Sequence, residues 1–375
     1  MLEKDEILKI DKLNMSKDIY RFPDYIIQAR NNCKSIDYLS IKQIIESRES
    51  ELFPNVCAIC GMGGSAISGE ILNDYLRMRV SFPIITVRNY TLPSYINKNS
   101  LVFIISYSGN TEETLSAFKE ALNRGALIIS ITSNGKLKEF CKKLQIPFIL
   151  VPSNLAPRAA LGHLFTSLLI SVQELGLIES VDDEISEMIE VLKIVRDEIA
   201  IKNPLENNIA KQTALKCVNN IPVIYITSAF QSIAKRYKTQ FNENSKVPCK
   251  VDYFPELAHN EVVGWECAME MSKNFICLLL RIDESEEIKT RIEMTKSIVL
   301  KEKLAEVIEI YSRGESNLSK ILSLILVGDY ISLYLAILNN KDPSSTESID
   351  KLKTELKEQL STVQNLENEL FSKET

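Results

Sequence analysis

The chain is short of the residues that build metal and redox centres. It has 2 histidines in 375 residues, His163 and His259, far apart in sequence. Its 8 cysteines form one CxxC, Cys57 and Cys60, and no second pair follows at zinc spacing. Most cysteines sit in apolar, strand-like runs, such as Cys57 in VCAICG and Cys277 in FICLLL, and read as buried, reduced thiols. No metal and no cofactor is expected. There is no basic excess either: 44 Lys and Arg face 50 Asp and Glu, a net charge of −6. That gives no reason to expect a nucleic-acid partner. No apolar run reads as long enough to span a membrane. The opening MLEKDEILKIDKLNMSKD is charged throughout, unlike a signal peptide. The expectation is a cytoplasmic protein with no membrane partner. With 45% hydrophobic residues, the chain can fold as two domains of ordinary size.

What is present is an alternation of strand and helix signals, and it occurs twice. Residues 56–151 give strand-like VCAICG, PIITVR, LVFIISY, ALIISITS and PFILV. The helical stretches AISGEILNDYL, TEETLSAFKEALNRG and KLKEFCKKL lie among them. The strands are nearly continuous apolar runs, as in a parallel sheet covered on both faces. This predicts a doubly wound α/β domain of about five strands, closed by the helix PRAALGHLFTSLLISVQEL. After a charged helical connector, PVIYITS, VPCKVDYF, NFICLLLR and AEVIEIYS repeat the plan as strands, and a long helix runs from Leu318. The expected boundaries are a helical N-terminal segment 1–50, a first domain 51–180, a connector 181–210, a second domain 211–342, and a C-terminal helix and tail 343–375. Two copies of one architecture predict a ligand cleft between halves. In the tail, Ile349, Leu356, Val363 and Leu370 recur every seven residues, with Leu352 and Leu366 between. Such a stripe packs on its own chain or against another subunit.

Two loops carry chemistry. Of the 12 glycines, Gly61, Gly63, Gly64 and Gly69 fall within GMGGSAISGE, where the first strand turns into the first helix. Backbone amides in such a turn approach a ligand oxygen closely. The spacing is not GxGxxG, and no GK[ST] follows, so a small phosphorylated ligand is favoured over a nucleotide. The second loop is SYSGNTEE. It holds Ser106, Ser108 and Thr111, and Asn110 with Glu113 reads as a capping box starting a helix near Thr111. An ordinary capped βα turn uses the same residues. Hydroxyls at a helix N-terminus can also hold a phosphate without a lysine.

This loop resembles the SxSGxTxE phosphate loop of the sugar isomerase (SIS) domain. With PRAALG, QFNEN, LAHNEVVGWE and GDYISLYLA…DP following in order, residues 50–355 resemble the bifunctional phosphoglucose/phosphomannose isomerases. The resemblance implies two doubly wound parallel-sheet SIS-like domains in tandem, with helical N- and C-terminal segments. It implies aldose–ketose isomerisation of glucose 6-phosphate and mannose 6-phosphate with fructose 6-phosphate through a cis-enediol(ate). Ser106, Ser108 and Thr111 would hold the phosphate, and Gly63, Gly64 and Ser65 would line the sugar site. Arg158 would steady charge near C1 and C2, Glu243 would move the proton, and His259 would open the ring. A lysine near the C-terminus would assist: Lys351 and Lys353 are the candidates, with Lys353 preferred. A homodimer is also implied, with the active site at the subunit interface and His259 reaching a neighbouring subunit's site.

The residue types suit this reaction. One carboxylate can take the proton from C2 and return it to C1. A guanidinium stabilises the enediolate oxygens at any working pH. Imidazole trades protons near neutrality. Each residue also has a plainer reading. Glu243 is a solvated carboxylate at a helix end, Arg158 a surface ion-pair residue, and His163, in LGHLFTSLL, a core residue. The runner-up functions are a non-catalytic sensor of sugar phosphates, which would not need Glu243 and His259, and another sugar-phosphate or amino-sugar isomerase. A structural protein built on the tail helix would leave both loops unexplained.

Overall fold

The computed structural model describes residues 2–34, 36–47, 53–266 and 270–371. The chain folds as two compact units. One comprises Asp24–Val181 and the segment from Thr346 onward; the other comprises the residues up to Pro23 and Asp182–Ser345.

The first unit is built on a five-stranded, wholly parallel sheet in the order β2-β1-β3-β4-β5. The strands are β1 (Cys57–Cys60), β2 (Ile84–Val87), β3 (Leu101–Ser106), β4 (Leu127–Thr132) and β5 (Phe148–Leu150). Every residue of β1, β3 and β4 is buried, which is why these strands read as unbroken apolar runs. On one face Ala58, Val102, Ile104 and Ile128 meet Phe118 and Phe140 of helices Glu112–Asn123 and Gly135–Lys143. On the other lies helix Gly63–Leu76, where Gly69 allows close approach: a Cβ there would stand 2.7 Å from that of Ile59.

The tail joins this unit in two pieces. Helix Glu347–Leu360 ends at Ser361, in the left-handed region at φ +47, and helix Thr362–Phe371 follows. Val363, Leu366, Leu370 and Phe371 pack on the core of the first sheet. Ile349 and Leu352 stay exposed. The heptad stripe is therefore broken at Ser361, and its second half packs on its own chain.

The second unit carries a four-stranded parallel sheet in the order β7-β6-β8-β9. Its strands are β6 (Ile221–Thr227), β7 (Lys250–Phe254), β8 (Phe275–Arg281) and β9 (Glu306–Tyr311). Side chains alternate across the sheet. Val223, Tyr225, Cys277 and Leu279 point into one core with Leu257, Trp265, Ile292 and Leu300. Ile224, Ile226, Leu278 and Leu280, also buried, point the other way. On that second side lie helices Gln231–Gln240 and Asn317–Leu338. Residues 181–210 are mostly the helix Asp182–Ile199, which buries Ile185, Met188, Leu192 and Val195 within this unit.

Helix Asn317–Leu338 corrects one sequence expectation. An 18-residue stretch of this 22-residue helix has mean hydropathy 2.1, so an apolar run of membrane-spanning length does exist. In the fold 94% of that stretch is buried. A helix apolar all round is what a position under several neighbours requires.

Candidate active site

The strand order β2-β1-β3 makes the β1/β3 pair the switch point of the first sheet, where chain direction reverses. Ligands of open α/β sheets bind at the carboxyl ends of strands there. The two loops singled out by sequence follow β1 and β3. They nearly touch: a Cβ on Gly61 would lie 2.8 Å from the Ile105 carbonyl oxygen. Gly63 has φ +50, a conformation costly for any residue with a Cβ. A Cβ on Gly64 would stand 3.2 Å from the Pro157 carbonyl oxygen and 3.4 Å from the Arg158 Cα. Glycine there brings the turn Pro157–Ala160 against the Gly-rich loop. Arg158 is 5% exposed and Ser65 is buried, so Arg158 is not a surface residue. Gly63, Gly64, Ser65 and Arg158 thus form one neighbourhood.

The loop after β3 is tied internally and from the side. The buried Ser106 hydroxyl donates to Thr111 Oγ1 at 3.1 Å and accepts from the Gly109 amide at 3.1 Å. Ser108 is exposed and accepts from the Asn110 amide at 3.3 Å. The expected capping box does not form. Thr111 occupies the N-cap of helix Glu112–Asn123, so Glu113 falls one residue short of the position a box requires. Asn110 turns sideways instead, and its Oδ1 accepts from the Lys136 amide at 3.0 Å.

The loop after β4 supplies the rest of the brace. Ser133 donates to the Tyr107 carbonyl from both amide (3.1 Å) and hydroxyl (2.6 Å), and the Leu137 amide donates to the Gly109 carbonyl at 2.9 Å. Gly109 (φ +71) and Gly135 (φ +77) interlock: a Cβ on the first would overlap the Asn134 carbonyl, and one on the second the Ser108 carbonyl. Sequence reading missed Ser133 and Gly135. The Asn134-Gly135 pair, a turn signal at a helix start, was the available cue. Lys136 also pairs with Glu367 at 3.0 Å, pinning the tail helix beside this brace, and that hydrogen bond raises its pKa. Lys351 and Lys353 are both exposed on helix Glu347–Leu360.

Glu243 lies in the second unit, half-buried in a single π-helical turn, Phe241–Ser245, that continues helix Gln231–Gln240. Such turns recur at functional sites. One side of helix Asn317–Leu338 holds it. Gly328 leaves room for the Tyr237 ring, and the Tyr237 hydroxyl donates to the Leu324 carbonyl at 2.8 Å. Arg236 forms two bonds to Asp329. Asn244 Nδ2 donates to Ser332 Oγ at 3.0 Å, and Ser245 Oγ to the Ser332 carbonyl at 2.7 Å. Lys246, left-handed at φ +57, closes the turn by donating to the carbonyls of Glu243 (2.8 Å), Asn244 (3.2 Å) and Asp342 (2.7 Å).

His259 ends the 3₁₀ turn Glu256–His259 after β7 and is exposed. Its neighbour Leu257 is buried in the core that contains Tyr225 and Trp265. The turn bearing His259 therefore packs on one face of the second sheet, and the helix leading to Glu243 packs on the other. His163 is buried and stacks on Tyr25 at 4.9 Å between centroids. The CxxC cysteines are also buried; burial pushes Cys57 up to about 12 and Cys60 upward too. Three apart on a strand, they point to opposite faces.

Residues 54–138 match the SIS domain, and residues 206–356 match the bacterial phospho-glucose isomerase C-terminal SIS domain. The bifunctional phosphoglucose/phosphomannose isomerase of Caldicellulosiruptor bescii is 42% identical over 346 residues, covering 92% of this chain and 99% of that protein. The chain belongs to the bifunctional phosphoglucose/phosphomannose isomerase family. A family member from Aquifex aeolicus is 39% identical over 304 residues, 80% of this chain and 89% of its own. A crystal structure of a hypothetical protein from Thermus thermophilus superimposes with TM-score 0.71 over 95% of this chain and 94% of that one. At 13% identity that likeness speaks to the fold alone. Membership of this isomerase family accounts for the tandem parallel sheets and for the order of the motifs along the chain.

Proposed function

We propose that the chain catalyses reversible aldose–ketose isomerisation, interconverting glucose 6-phosphate and mannose 6-phosphate with fructose 6-phosphate through a cis-enediol(ate). What supports this reading is that a chain of this isomerase family carries both a hydroxyl-rich loop at a helix N-terminus and a carboxylate in a turn fastened on both sides. Ser106, Ser108 and Thr111, with amides at a helix N-terminus, hold the phosphate dianion. His259 trades protons with the ring oxygen and the O1 hydroxyl to open the sugar. Glu243 removes the C2 proton and delivers it to C1. Arg158, charged at any working pH, stabilises the enediolate oxygens. Lys353 assists ring opening. The fastening of the Glu243 turn supports its role, because a single base serving two carbons depends on a fixed position.

Substrate range follows from stereochemistry. The two aldose phosphates differ only at C2 and give the same cis-enediol once its proton leaves. One base reaches C2 of both only if the open chain rotates about C2–C3 while the phosphate stays fixed. Gly63, Gly64 and Ser65 are small enough to allow two positions of C1 and O1. The same reading includes a cytoplasmic homodimer whose active sites lie at the subunit interface. It is supported by the placement of Glu243 and His259 on elements covering opposite faces of one sheet, so that a second copy would supply the imidazole.

The test is a coupled assay of purified protein with each aldose 6-phosphate, in EDTA. Turnover of both is expected. A preference for glucose 6-phosphate beyond ~10⁴-fold, over about 5 kcal/mol, would leave an ordinary phosphoglucose isomerase. Binding without turnover would favour the sensor.

A further inference from the structure

His259 sits among elements too short to hold themselves in place. The 3₁₀ turn Glu256–His259 has four residues and the helix after it, Glu261–Gly264, has four more. A single helical turn has no stability of its own in water. The position of the imidazole is thus set by whatever fastens this segment to the sheet. Leu257 fastens it upstream by burial. Downstream, Glu261 fastens it by hydrogen bonds and Trp265 by burial. Tyr225 on β6 donates its hydroxyl to Glu261 Oε1 at 2.6 Å, and Lys250 at the start of β7 donates to Oε2 at 2.5 Å. Trp265, buried at the far end of the segment, donates Nε1 to the Tyr225 hydroxyl at 3.1 Å. Asn260 joins the two sides: its Oδ1 accepts from the Glu261 amide and its Nδ2 donates to Glu256 Oε1 at 2.9 Å.

We infer that Glu261 is the positioning residue for His259, its carboxylate clamping the segment that carries the imidazole to strands β6 and β7. The inference rests on the ring-opening role proposed for His259. The phenol in this clamp keeps its proton across the working pH range. Burial, and next the Glu261 carboxylate itself, raise the Tyr225 phenol far above its ordinary pKa, so it stays a donor. The three groups also lie on three separate elements, so the carboxylate fixes the segment in more than one direction. A hydrophobic anchor such as Leu257 fixes depth but allows sliding, whereas two charge-assisted bonds are directional.

The experiment is a pair of variants in two backgrounds. Glu261→Ala removes both bonds; Tyr225→Phe removes one of them, together with the acceptor of Trp265 Nε1, and keeps the ring shape. With His259 present, Glu261→Ala should lower kcat by about tenfold to a hundredfold, the scale of a 1 Å misplacement, with KM within about threefold. Tyr225→Phe should lower it less. With His259→Ala already made, each should cost no more than about twofold further, because residues acting through one group are not additive. Equal losses in both backgrounds would show that Glu261 holds the fold rather than the imidazole and would overturn the inference. So would Glu261→Ala at wild-type kcat beside a slow His259→Ala. If Glu261→Ala does not fold, the two Tyr225→Phe measurements decide by the same criterion. Wild-type turnover by His259→Ala would instead remove the role proposed for His259, a different failure.

Discussion

Arg236 and Asp329 form a two-bond ion pair, Nε to Oδ1 at 3.0 Å and Nη2 to Oδ2 at 2.8 Å, with side chains only 2% and 7% exposed. The pair joins the helix that leads to Glu243 to the long helix Asn317–Leu338. Breaking it from one side strands a buried charge. Asp329→Ala should therefore destabilise the protein by about 3–5 kcal/mol in urea unfolding. Adding Arg236→Met to that variant should recover part of the loss. A double variant as unstable as the single one would mean that the cost lies in lost packing, not in the unpaired guanidinium.

The brace beside the loop after β3 makes a second prediction. Gly135→Ala puts a Cβ at φ +77, against the Ser108 carbonyl, and left-handed geometry alone costs about 1–2 kcal/mol. The loop after β3 must move. KM for hexose 6-phosphate should rise, although residue 135 carries no side chain that could touch the ligand. Thr111→Ala should raise KM by about 1–3 kcal/mol of lost binding. Either variant with unchanged KM would place the phosphate elsewhere.

These two cases mark what sequence could and could not convey. The strands were legible because both faces of each sheet are covered, so Phe103 to Ile105 or Cys277 to Leu280 read as unbroken apolar runs. Ser106, Ser108 and Thr111 stand out in the sequence as hydroxyls at a strand-to-helix turn, and the structure places them in that turn, at the end of β3 and just after it. Gly135 and Ser133 do not stand out, because their partners Ser108 and Tyr107 come beside them only through the pairing of β3 with β4. The π turn at Glu243 was hidden for a related reason: its five residues keep helical composition, and what shapes it, Ser332 and the Lys246 clamp, lies on another helix or past the turn. Asn110 misled because helix N-termini are chosen by geometry, and one residue of slip freed its side chain for another loop.

Buried thiols predict an alkaline limit to stability. Burial raises Cys57 and Cys217 to about 12 and Cys141 to about 11, from an ordinary value of 9.0. The folded protein therefore keeps these protons where the unfolded chain has lost them. The stability each contributes is intact below pH 9.0 and is lost as pH rises from there toward its folded value. The slope is about 1.4 kcal/mol per pH unit for each thiol. Cys57→Ala should lose one share of that slope, so its stability deficit relative to wild type should shrink between pH 8 and pH 10. Urea midpoints at both pH values check this; a constant deficit would contradict it.

The placement of Glu243 and His259 on opposite faces of one sheet leads to a prediction about paired subunits. If His259 acts on a neighbouring subunit's sugar, each active site of a dimer draws its carboxylate from one chain and its imidazole from the other. Glu243→Gln alone should cost roughly three orders of magnitude or more in kcat with substrate binding kept, and His259→Ala should be slow as well. Mix the two variants, unfold and refold them together, and half the dimers are hybrids. In a hybrid one site carries both defects and the other carries neither, because the Glu243→Gln chain lends its intact His259 to the intact Glu243 of its partner. The mixture should then recover about a quarter of wild-type activity, as a two-fold interface requires. Subunits that each complete their own site would leave every site in the mixture defective, and refolding together would restore nothing.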